Sequence, residues 1–97
     1  MCGILFIGIL IVELLLKDAF NIKDRRNIIS SIINKLRANY NVSVADVSEK
    51  ILYNKATLAI ATVSNKKSAT EKFMDNIYNF ILNNYLIEIL HIERQIL

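Results

Sequence analysis

Ninety-seven residues carrying a net charge of +3, with no proline, two glycines and one cysteine, make one domain spanning 1–97, with core enough to fold without staples. The lone Cys2 excludes an internal disulfide and suits a reducing cytoplasm. With His91 as the only other cysteine or histidine, no zinc spacing exists and no metal or cofactor is expected. So mild a positive charge permits an anionic partner without demanding one.

The first element is the most apolar run of the chain, Gly3 to Leu16, interrupted only by Glu13. A membrane helix needs about 20 apolar residues, and a carboxylate near mid-membrane costs on the order of 2.5–3.5 kcal/mol. Nothing basic precedes Lys17 and no small-residue cleavage pattern follows, so a signal peptide is not expected either. The run reads as a central β-strand, and neither a membrane nor an export route is expected. Gly8, Leu10, Val12 and Leu14 line one face, and Ile7, Ile9, Ile11 and Glu13 the other.

Lys17 to Phe20 is a polar break, and Asn21 with Asp24 three residues on makes a capping-box-like start. A helix is predicted over Ile22–Asn39, its stripe formed by Ile22, Ile28, Ile29, Ile32, Ile33, Leu36 and Tyr40. Asn41 is expected as its left-handed stop. Val42–Val47 alternates as a second strand, and Ser48–Asn54 reads as a loop with a short helical turn. Ala56–Val63 is a third strand. Asn65 is expected to cap a second helix ending near Asn84, with Ala69, Phe73, Ile77, Phe80 and Ile81 inward. Leu86–Arg94 is the last strand, with Gln95 to Leu97 trailing from it. The order βαββαβ predicts an α+β, ferredoxin-like domain: a four-stranded antiparallel sheet, strands one and three central, two helices on one face.

The runs IGILIVEL, NIKDRRNIISSIINKLRANYNVSVADV, ATLAIATVSN and IERQIL resemble the YlxP-like family of small bacterial proteins of uncharacterised function. The resemblance extends over about Ile7 to Leu97. Its most specific pieces are Ile22 to Arg26, Asn41 to Ala45 and Val63 to Asn65. It implies the same ferredoxin-like fold. The genes of that family often lie beside those for translation initiation factor two and a ribosome-binding factor, which implies ribosome biology by association alone. Here Ile11 stands where relatives usually carry a polar or basic residue, so the open face of the sheet is greasier, and Asn21 replaces their usual serine with the cap chemistry kept.

Two surfaces emerge as candidates. One is a basic strip on helix one, Lys23, Arg25, Arg26, Lys35 and Arg37, near free amides at the helix start. Arginine grips phosphate in two-pronged fashion, so ribosomal or structured RNA is the expected partner, and the first functional expectation is a non-enzymatic, RNA- or ribosome-associated accessory protein. Against it stands the ordinary fate of a charge run, a solvated helix face. The other surface is the open sheet face at Ile7, Ile9, Ile11, Ala59 and Ala61. It offers no aromatic for base stacking; an apolar face left in water marks a protein partner, a second copy in a homodimer or another protein. The alternative expectation is therefore an oligomerising protein-interaction module, unless Ser48–Asn54 or the C-terminal residues cover the face.

No catalytic residue and no small-molecule substrate is evident. His91 with Glu93 and Glu13 is the minimum for acid–base chemistry, but a surface histidine beside a carboxylate is the far commoner occurrence. Acylphosphatases of this topology need a glycine-rich anion loop and heavy-metal domains a CxxC; Lys17 to Asn21 offers neither.

Overall fold

The computed structural model describes residues 5–97, in the order β1 (Phe6–Leu16), α1 (Ile22–Asn39), β2 (Ser43–Asp46), β3 (Lys55–Ser64), α2 (Lys67–Asn84) and β4 (Ile87–Ile96). Gly3 and Ile4, the expected start of the first strand, lie outside the described residues, as does Cys2. The sheet order is β2-β3-β1-β4, and every pairing is antiparallel. This is the ferredoxin-like α+β arrangement, with β1 and β3 central.

Alternation along β1 sorts its side chains. Leu10, Val12, Leu14 and Leu16 are fully buried beneath the helices, while Ile7, Ile9, Ile11 and Glu13 are half-buried on the opposite, open face. On β3, Ala56, Leu58, Ile60 and Thr62 point into the core and Thr57, Ala59 and Ala61 point away from it. The core between sheet and helices is closed by Ile29, Ile32 and Leu36 of α1 and by Met74, Ile77 and Ile81 of α2.

Gly8 lets α2 approach. A Cβ there would lie 2.6 Å from Thr70 Cγ2, closer than atoms pack, and in tight contact with Thr62 Cγ2 at 3.2 Å and Met74 Sδ at 3.3 Å. The inward stripe of α2 is therefore Thr70, Met74, Ile77 and Ile81. Ala69 and Phe73 were expected inward; Ala69 is half-buried and Phe73 exposed. The apolar residues of that helix outnumber what one stripe can hold, and the glycine hollow selects Thr70 and Met74.

Four further expectations are corrected. Tyr40, not a left-handed Asn41, ends α1 with extended backbone, and no non-glycine residue among those described has positive φ. Lys66 rather than Asn65 is the N-cap of α2, without a side-chain cap bond. The connection between β2 and β3 contains no helical turn, only turns and an isolated bridge from Leu52 to Lys55. The C-terminal residues do not trail: Gln95 and Ile96 pair with Ile9 and Gly8, and Leu97 exchanges both backbone bonds with Ile7. A bulge between Glu13 and Leu14 resets the register of β4.

Candidate functional site

The start of α1 is built as its sequence proposes. Asn21 Oδ1 accepts the Asp24 N–H at 2.8 Å, and Asp24 Oδ2 accepts the N–H of Phe20 at 3.0 Å. The carboxylate thus occupies ground that an external anion would need. Phe20, just before the cap, stands in the position that usually packs on the fourth helical residue. That residue is Arg25, which turns away, and Phe20 is left 76% exposed.

Arg25 was expected beside Arg26 on the RNA-binding strip; the structure overturns that placement. Its spacing to Ile29, Ile32 and Leu36 puts it on the inward stripe of α1. The guanidinium donates through Nε to the Lys55 carbonyl at 2.9 Å, and through Nη2 to Asp46 Oδ2 at 3.0 Å and Ser48 Oγ at 3.2 Å. Ser48 in turn donates its hydroxyl to Asp46 Oδ1 at 2.6 Å and accepts the Thr57 N–H at 2.9 Å. Partial burial pushes the Asp46 carboxyl up, but hydrogen bonds from the Ser48 hydroxyl and N–H and from Arg25, with the charge of Arg25, outweigh it and hold the group below the usual carboxylate range.

The rest of the expected strip is divided. Lys23 and Arg26 are exposed. Arg37 donates to the Val44 carbonyl at 3.0 Å, and Lys35 Nζ lies 5.5 Å from the centre of the Tyr85 ring, within cation–π range. The exposed cations near the helix start are Lys17, Lys23 and Arg26, within six residues of Phe20 in sequence, with exposed Asp18 beside them.

The sheet face, in contrast, gathers its expected residues. Ile9 lies opposite Ala61 and Ile11 opposite Ala59, with Ile7 opposite Val63. Large side chains thus fill the β1 row, and the β3 row is small at Ala59 and Ala61 and large again at Val63. Exposed Val63 and Leu97 extend the apolar end. Toward the other end the face turns polar: Glu13 pairs across strands with Thr57 and His91, and Ile11 with Glu93. His91 Nε2 and Glu93 Oε1 are 3.2 Å apart, both side chains more than 60% exposed. So Glu13, His91 and Glu93 do share a face, on open surface. A cleft of about 370 Å³ lies there between Glu13, Thr57, Lys55, Ser48 and Lys50. Among the described residues no group of three or more His, Cys, Asp or Glu is placed to hold a metal ion, and no helix is long and apolar enough to cross a membrane.

The fold and these surfaces define a small ferredoxin-like protein with an uncovered sheet. Residues 7–94 match the family model described as "Protein of unknown function (DUF503)", and the chain belongs to that family. It is similar to "Uncharacterized protein YlxP" of Bacillus subtilis (strain 168), 27% identical over 75 residues that cover 77% of this chain and 82% of that protein.

Two features escaped sequence reasoning. The Arg25 clamp was legible in principle, since position 25 falls on the 25-29-32-36 stripe and Asp46-x-Ser48 is a turn-forming pair. The exposure of Phe20 follows from the same fact, because a charged fourth helical residue offers it nothing to pack on.

Proposed function

We propose that this chain is a non-enzymatic protein-interaction module whose contact surface is the open face of its sheet. The observation behind it is the apolar pair of rows, Ile7, Ile9 and Ile11 against Val63, Ala61 and Ala59, on a face no helix covers. Contiguous apolar surface in water marks a docking site. A nucleic acid suits that face poorly: it presents no aromatic at these positions, and Glu13 and Glu93 add negative charge. A photo-crosslinking residue at Val63 tests the reading, with a control at Lys72 on the exposed side of α2. Nuclease-resistant protein adducts are expected at Val63 alone, lost on Ile9→Lys. Adducts that vanish with nuclease, or form equally at both positions, overturn it.

A second reading, association with ribosomal or structured RNA, has an observation of its own. Phe20 is the most exposed large apolar side chain among the described residues, and exposed Lys17, Lys23 and Arg26 lie within six residues of it in sequence. An exposed aromatic with cations nearby in the chain is what an unpaired base and its flanking phosphates need. In this reading Arg25 serves the fold and Phe20 replaces it as the carrying residue.

A further inference from the structure

We propose that the open face is occupied by a second copy of the chain, related by a two-fold axis that runs along the strands between β1 and β3. This rests on the reading of that face as a contact surface and adds the partner and its orientation.

The surface is self-complementary under that rotation. Turning a copy about an axis parallel to the strands and facing it onto the first lays β1 of one over β3 of the other. Ile9 and Ile11 then fall over the trough made by Ala61 and Ala59 while Ile7 meets Val63 at the apolar end, and the reverse holds on the other side of the axis. Both rows belong to one chain and lie directly cross-strand, as a symmetric interface needs. Sheets packed face to face settle at about 30° to each other, which keeps ridge over trough near the axis.

Charge follows the same division. On the strands, carboxylates of the open face sit on β1 and β4, at Glu13, Glu88 and Glu93, and the cation Lys55 sits on β3; the loop before β3 adds one charge of each sign, Glu49 and Lys50. None of Glu13, Glu88, Lys50 and Lys55 is in an ion pair among the described residues. The two-fold carries the β1–β4 side of one copy over the β3–β2 side of the other, so Glu13 falls over Thr57 of the second copy, and Lys55, two residues or about 6.6 Å along β3, reaches it with its long side chain, twice. An axis across the strands instead places the apolar end at Ile7, Val63 and Leu97 on the polar end at Glu13 and His91, desolvating carboxylates against aliphatic side chains.

The size is adequate. Eleven residues of β1 at about 3.3 Å each, and four strands about 4.8 Å apart, give a face of at most roughly 35 by 15 Å, about 500 Å² in projection, from which the four-residue β2 takes a corner. Side-chain relief raises the accessible area above the projection, toward the low end of the ~600–1,000 Å² per partner of specific interfaces.

Sedimentation equilibrium with charge exchange decides the matter. The wild-type chain is expected to dimerise, Ile9→Lys to be a monomer with unchanged circular dichroism, and Glu13→Lys or Lys55→Glu alone to raise the dimer Kd about tenfold. The double exchange, Glu13→Lys with Lys55→Glu, is expected to return it to within about threefold of wild type, as a restored pair does in a double-mutant cycle. A dimer that Ile9→Lys breaks but the double exchange does not restore overturns the orientation and leaves the contact face standing. A wild-type monomer at high micromolar concentration overturns the second copy as occupant, while the crosslinking at Val63 still judges the face. A dimer indifferent to Ile9→Lys overturns both.

Discussion

The guanidinium of Arg25 lies 3.0 Å from the carboxylate of Asp46, and this pair ties the first turn of α1 to the end of β2. Its side chain is 7% exposed and that of Asp46 24%, so the cation is inside and its partner at the rim. Bonds to Lys55 and Ser48 hold the start of β3 and the β2–β3 connection in the same network. One of the five cations expected to meet an external phosphate is thus committed to the fold.

Replacing Arg25 is therefore a stability experiment. Removing one member of a buried pair typically costs 3–5 kcal/mol, and the partial exposure of Asp46 reduces that. Arg25→Ala should lower the free energy of unfolding by about 2–3 kcal/mol in urea titration. Arg26→Ala, one residue on and exposed, should stay within about 0.5 kcal/mol of wild type. Equal small effects would place Arg25 on the surface after all.

Asp46 sets an acid dependence with a definite sign. Its folded carboxyl is held below the ordinary carboxylate value, so the folded state binds the proton less readily than the unfolded chain does. The stabilisation is fully present above the unfolded pKa, near 3.9, and is lost as pH falls through the folded value. Asp46→Asn should be less stable than wild type at pH 7, and the difference should shrink as the pH is taken below about 4. A constant gap over that range contradicts the assignment.

How much was legible depends on which force set each feature. Strand β1 and the bounds of α1 were readable because period and capping are local: alternation gave the two faces of Leu10 and Ile9, and Asn21 with Asp24 gave the start. The inward stripe of α2 was misread at Phe73 because Gly8, on a distant strand, decides which residues fit. The end of β4 was missed because Gln95 and Leu97 look polar or terminal, while their pairing is fixed by β1 across the sheet. On the candidate site, the rows of Ile9 and Ala61 were legible from spacing. The loss of Arg25 to the interior was not read, since charge was given more weight than its place on the stripe.

Gly8 offers a direct test of the helix–sheet fit. Gly8→Ala puts a methyl group against Thr70 Cγ2 and Met74 Sδ, and overpacking of this kind costs about 1–3 kcal/mol. Thr70 Oγ1 also donates to the Lys66 carbonyl at 3.0 Å, so the side chain cannot turn away freely. Thr70→Ser removes Cγ2 while keeping that bond. In a double-mutant cycle it should recover about 0.5–2 kcal/mol of the loss. Strict additivity would mean the clash is relieved elsewhere.

Leu10 and Ile9 are neighbours with opposite roles. Leu10 is wholly buried, so Leu10→Ala should cost about 2–5 kcal/mol in thermal or urea unfolding. Ile9→Ala, on the half-buried open face, should cost less than half as much in the monomer. Reversed sizes would invert the sheet's faces.

The RNA reading makes its prediction at Phe20. The fold gives this side chain nothing to pack on, so Phe20→Ala should leave stability within about 0.5 kcal/mol of wild type. If unpaired bases stack there, the same change should weaken binding to ribosomal RNA by about 1–3 kcal/mol. Lys23→Glu with Arg26→Glu should act differently, flattening the slope of log K against log salt by about two contacts' worth, because phosphate contacts release counterions. The two effects separate stacking from charge in one filter-binding series at several salt concentrations. Affinity at low salt no greater than that of a neutral control protein, or indifference to both sets of changes, would leave Lys23 and Arg26 as a solvated helix face and Phe20 as an unpaired entry residue.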